Sequence, residues 1–172
     1  MSIPAHAEWI YEENKDRMGA VSASAYSELI SPEEPIDTPH EELQASIHYT
    51  CGDDYGALVI FFSAIIPLSS RLKEKSPSSV NMRINFDDDR HTIQMDVIRR
   101  GEPPNAAGVV FSEADAEKYT HKVMQHSSAL LEVVIKDASQ PAYFNFDLTG
   151  SSEVITKAQR ACFEYEEETK NE

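Results

Sequence analysis

Basic residues are in short supply: 15 Lys and Arg stand against 30 Asp and Glu, a formal net charge of −15 over 172 residues. Such a chain lacks the basic face that displaces counterions from a nucleic acid, and anionic lipid repels it. Glycine is scarce at six residues, too few for a Gly-rich phosphate loop, and no Ser sits in a G-x-S-x-G elbow. No apolar run reaches the ~18 residues that cross a bilayer. The longest, Ala57 to Pro67, is broken by Ser63, and its Val, Ile and Phe content reads as a buried strand. The six His form no zinc pattern; His121 and His126 diverge around a helix, and His48 falls on the polar face of its strand, so each reads as a surface residue. No catalytic motif, cofactor motif or EF-hand spacing is present.

What is there has a clear period. In 43–51, Leu43, Ala45, Ile47, Tyr49 and Cys51 alternate with polar residues, and Ala57–Ala64 is the hairpin partner across Gly52–Gly56. Val80, Met82, Ile84 and Phe86 alternate with Asn81, Arg83 and Asn85; after an acidic turn, Ile93, Met95 and Val97 repeat the pattern. Residues 8–30 read as two short strands joined at Met18-Gly19, 108–111 and 130–135 as further strands, and 142–149 as the last. Between them, 31–42 holds three Pro and five acidic residues and reads as an exposed, mobile loop. The stretches 71–79, with Pro77, and 101–108, with Pro103 and Pro104, read as connections.

Two helices are expected late in the chain. Ser112 caps one that runs to about Gln125, with Glu113 and Asp115 in its first turn and Tyr119 and Val123 toward the core. The other follows Gly150, with Val154, Ala158, Ala161, Cys162 and Tyr165 on one face. At least about seven strands at roughly 8–12-residue spacing with two short helices imply a mostly β, antiparallel, sandwich-like or barrel-like single domain over 8–165. The acidic tail 166–172 is expected to fray.

Two Cys far apart in structured segments suit one long-range disulfide between an early strand and the last helix, in an oxidising compartment. Two buried free thiols are the alternative. Ala5-His6-Ala7 has the small-x-small form of a signal-peptidase site with no apolar core before it, which fits either a removed signal or a chance match. Candidate binding residues are Asn81, Arg83, Asn85 and Asp87, read as the polar face of one strand. Asp53 and Asp54 in one turn, and Asp87, Asp88 and Asp89 near His91 in another, could make this a calcium- or small-ligand-binding β-sandwich, although hairpin turns favour acidic residues for local reasons. A hydrolase whose site assembles only in the fold is a third reading. Neither Cys51 nor Cys162 sits where a reactive thiol would.

Trp9, the Asp16-x-Met18 turn, Cys51, the Val80–Arg83–Asp87 strand, and Phe146-Asp147-Leu148-Thr149-Gly150 followed by Ala161-Cys162 together resemble the TagO/VasI-type accessory proteins associated with type VI secretion. Phe163 stands where a Trp tends to follow the last Cys, and the turn is Asp-Arg-Met rather than Asp-Pro-Met. The resemblance implies a periplasmic or secreted, non-catalytic accessory protein with a β-sandwich-like domain, no cofactor, a Cys51–Cys162 pair, and an envelope or secretion-system protein as partner.

Overall fold

Period-two alternation across the chain becomes nine strands, described in a computed structural model over residues 8–37, 39–69, 79–99 and 105–164. They are β1 (Trp9–Lys15), β2 (Val21–Ser27), β3 (Ala45–Gly52), β4 (Tyr55–Pro67), β5 (Ser79–Phe86), β6 (Asp89–Arg99), β7 (Asn105–Phe111), β8 (Ser128–Val133) and β9 (Ala142–Asp147). Helix α1 (Glu113–Gln125) precedes β8; α2 (Ser151–Gln159) follows β9 and runs into a π-helical turn at Arg160–Glu164. The Ala5-His6-Ala7 match, the Pro77 loop, Pro103-Pro104, Tyr165 and the acidic tail lie outside the described residues.

All nine strands are hydrogen-bonded in one antiparallel series, β1-β2-β3-β4-β7-β6-β5-β8-β9. The expected mostly β, antiparallel architecture is thus built as one continuous sheet. Register puts one row of apolar side chains on the same face throughout: Ala25 opposite Tyr49, Tyr49 opposite Leu58, Ile60 opposite Val109, Val109 opposite Val97, and Ile84 opposite Leu131, which faces Phe144. That face carries the core, with Ile47, Leu58, Ile60, Phe86, Phe144 and Phe146 fully buried. Twist accumulates across so many strands, and the sheet curls toward itself. Its two ends meet where the Trp9 indole N–H on β1 donates to the Asp147 carbonyl on β9 at 3.3 Å. A register shift between Phe61 and Ile66 bends β4 and lets Leu68 bridge to Ile135 beyond β8.

The helices close over this face. Ser112 caps α1 as its sequence predicts, its Oγ accepting from the Asp115 amide, and Tyr119 and Val123 are buried. Gly150 begins α2 at φ +88°, a backbone angle that disfavours any side chain bearing a Cβ. The buried residues of α2 are Ser151, Ile155 and Ala158, continued by Cys162, whereas Val154 and Ala161 are only partly buried. The π-helical turn changes the phase between the helix and Cys162, so a strict 3.6-residue reading picks the neighbouring stripe. Cys51 and Cys162 are disulfide-bonded with their Cα atoms 6.2 Å apart. Ser151 Oγ donates to the Val123 carbonyl at 2.8 Å, and Lys157 Nζ lies 4.0 Å from the Tyr11 ring centroid, so α2 is tied to α1 and β1 as well.

The described residues of 31–42 form no strand or helix, but they are pinned to the fold rather than loose. Ile36 and Leu43 are buried, the Glu33 amide donates to the Tyr143 carbonyl at 2.8 Å, and Asp37 accepts from the Ser139 amide at 3.0 Å and from its hydroxyl. The Glu33–Tyr143 bond covers part of the outer edge of β9, the last strand of the series.

Candidate functional site

The outward face of β5 carries the strand residues singled out in the sequence. Arg83 lies opposite Thr92 on β6 and Glu132 on β8, and Glu132 lies opposite Tyr143 on β9. Glu132 is only 4% exposed, and a carboxylate so placed needs partners. It finds them in Arg83, whose Nη2 is 3.4 Å away, and in the Tyr143 hydroxyl, which donates at 2.9 Å. This cross-strand ion pair fixes the base of Arg83 while more than half of its side chain faces solvent. One register step on, Asn85 lies opposite Arg90. Asn85 Oδ1 is buried and has no hydrogen-bond partner, and the exposed Arg90 guanidinium has no ion-pair partner among the described residues. Arg83, Asn85, Arg90, Thr92, Leu130 and Tyr143 line one open concavity of about 490 Å3.

Asp87 is not part of this face. It sits in the β5–β6 turn at φ 51°, a left-handed angle that Asp tolerates better than most residues. From there its carboxylate turns to the end of α1, accepting from the Ser127 and Ser128 amides and hydroxyls and pairing with His126 Nδ1 at 2.9 Å. Bonds from Ser127 first, and then from His126, hold its acid form far below the usual carboxylate range. Arg83 therefore pairs across the sheet with Glu132, and Asn81, Arg83 and Asn85 remain together without Asp87.

Of the other acidic turn residues, Asp53 and Asp89 are also committed to protein donors. Asp89 pairs with Lys122 at 2.5 Å and with His91 at 2.9 Å, which lowers its acid form to about 2. Asp53 accepts from the Val21 amide at 3.3 Å, and Asp53 and Asp54 belong to a different hairpin from Asp87, Asp88 and Asp89. No group of three or more His, Cys, Asp or Glu is placed to hold a metal among the described residues.

His48 corrects its reading as a surface histidine. It stacks on Tyr26 with ring centroids 4.8 Å apart, meets Phe61 edge-on at 4.7 Å and bonds Ser46 Oγ at 2.8 Å. Burial pushes its pKa down to about 4. Above the ordinary histidine value the ring is neutral in both states and adds no pH dependence. As pH falls from about 6.5 toward about 4 the unfolded chain binds a proton that the folded one refuses, so native stability is lost across that window. Replacing His48 with Phe keeps the stack and removes the proton. Urea midpoints for wild type and His48→Phe are expected to run parallel above pH ~7 and diverge below pH ~6, wild type losing more. Parallel curves down to pH ~4 would show that the ring titrates normally.

No protein-family model, no curated protein and no solved structure matches this chain. The site therefore rests on its own geometry. Arg90, Thr92, Leu130, Glu132 and Tyr143 are among its members that the sequence pattern did not nominate. The hairpin alone carried a signal for Arg90: once the turn is centred on Asp87-Asp88, Asn85 must face Arg90. Glu132 and Tyr143 come from strands more than forty positions onward, and only the β5-β8-β9 pairing brings them in.

Proposed function

We propose that this chain is a non-catalytic binding protein of the periplasm or the secreted space, engaging an envelope or secretion-system protein through the outward face of β5, β6, β8 and β9. The observation that carries the reading is the Arg83–Arg90 concavity, where two arginines, the first paired with Glu132, stand at one recess of a chain of net charge −15. Arg fits such a role because its planar fork binds carboxylates in two-point fashion, and Asn85, Leu130 and Tyr143 supply amide, apolar and aromatic contact beside it. The preferred partner segment is acidic. The disulfide supports an oxidising compartment, and the likeness to TagO/VasI-type proteins supports a role accessory to type VI secretion. Calcium is not favoured, because Asp53, Asp87 and Asp89 already spend oxygens on protein donors.

Arg83→Gln/Arg90→Glu tests the face, with Gln still able to donate to the buried Glu132. With a photo-crosslinker at Thr92 in cells that make the protein in an oxidising compartment, wild type is expected to form a discrete adduct. The double variant should reduce it by at least about tenfold, as loss of two interface arginines implies. An undiminished adduct in a double variant with an unchanged circular dichroism spectrum would move the partner to another surface.

A further inference from the structure

A second recess lies on the helical side of the molecule, between α1, the π-helical turn and the β3–β4 hairpin, with a volume of about 300 Å3. One stripe of α1 forms its wall, since Glu113, Ala116, Glu117, Thr120 and His121 are spaced three and four apart. Tyr49 and Phe163 face that wall from the other elements, and Phe163 is 39% exposed although it is a large apolar ring.

Three features give the recess a chemical preference. Glu113 and Glu117 are one helical turn apart, and among the described residues neither has an ion-pair partner, nor does any Lys or Arg line the recess. Thr120 is 3% exposed, and its Oγ1 has no hydrogen-bond partner, an arrangement that leaves a buried hydroxyl open to an incoming group. At Gly56 a Cβ would come within 2.9 Å of the Tyr49 hydroxyl, so glycine keeps that phenol in place at the floor. Carboxylates seek a cation, an orphan hydroxyl oxygen accepts from an N–H, and aromatic faces attract a cation with an alkyl stem.

We infer that the α1–Tyr49–Phe163 recess is a binding site for a primary alkylammonium group. Such a group reaches the protein in two forms, a free polyamine or a lysine side chain of another protein. The ammonium donates to Glu117 and Thr120, and its methylenes lie along Ala116 and the rings.

Amide NMR titration of the 15N-labelled chain with n-butylammonium, at fixed ionic strength, is the test. Saturable shifts confined to Gly56, Ala116, Thr120, His121 and their neighbours are expected, with n-butanol producing none. Glu117→Gln should weaken binding about fivefold, the loss expected for an exposed charge pair. Thr120→Val should weaken it while leaving the rest of the spectrum unmoved. Spermidine and Nα-acetyl-lysine methylamide then separate the two sources by which binds more tightly. Equal shifts from butanol and butylammonium, shifts spread over the acidic surface that vanish with salt, or no saturation at tens of millimolar would each overturn the assignment.

Discussion

Reducing the Cys51–Cys162 bond is expected to cost the native state about 4–5 kcal/mol, because in the chain-entropy model a loop of some 110 residues is released in the unfolded ensemble. For a chain of this length that corresponds to a fall in Tm of roughly 10–20 °C. Native geometry should survive at room temperature, since α2 is held independently by the buried Ile155 and Ala158 and by the Ser151–Val123 bond. The urea slope should rise together with the loss, because the reduced denatured state is less compact. Denaturation with and without reductant measures both quantities, and Cys51→Ala/Cys162→Ala repeats the comparison without reductant. Hydrogen exchange should speed up first in 151–164, the segment the bond anchors. A loss below about 1 kcal/mol would mean that docking of α2 holds nearly all of that stability.

Phe86→Ala is expected to destabilise by about 3–5 kcal/mol, the range for emptying a packed aromatic site. Phe86 is fully buried at the end of β5 and lies among Tyr119, His91 and His126, with ring centroids about 6 Å away in each case. It packs the β5–β6 turn against α1, so the cavity left behind is bounded by a strand and a helix that cannot easily collapse together. Phe86→Leu should recover more than half of the loss, because it refills most of the volume. Met18→Ser, at 92% exposure, serves as the control and should lie within about 0.5 kcal/mol of wild type. Thermal denaturation followed by far-ultraviolet circular dichroism gives the ranking. Equal losses for Phe86→Ala and Phe86→Leu would point to ring-specific contacts rather than volume.

Local features were the legible ones. Ser112 announced its helix through a hydroxyl three residues before Asp115, and the β5–β6 hairpin announced itself by strict alternation on either side of Asp87-Asp88. The two cysteines left disulfide and free thiols open, and the resemblance implied the pair that the structure contains. Features that depend on distant partners were not legible. His48 reads as polar-face until Tyr26 and Phe61 are brought to either side of it, and 31–42 reads as loose until Asp37 meets Ser139, 102 positions away. Asp87 extends the polar alternation of β5 by one step, but a positive φ turns it off the strand. Of the candidate face, Asn81, Arg83 and Asn85 were visible from period alone. The Glu132 and Tyr143 supports required pairing among three strands.

The contact of Trp9 with Asp147 joins residues 138 positions apart, and Trp9 is the sole tryptophan in the chain. Its fluorescence therefore reports the juncture of the first strand with the last, not a local environment. Such a non-local juncture is reached only after the intervening strands have assembled. Emission and backbone ellipticity should separate in time during refolding, with emission trailing. A fluorescence trace on this protein thus dates the closing of the sheet.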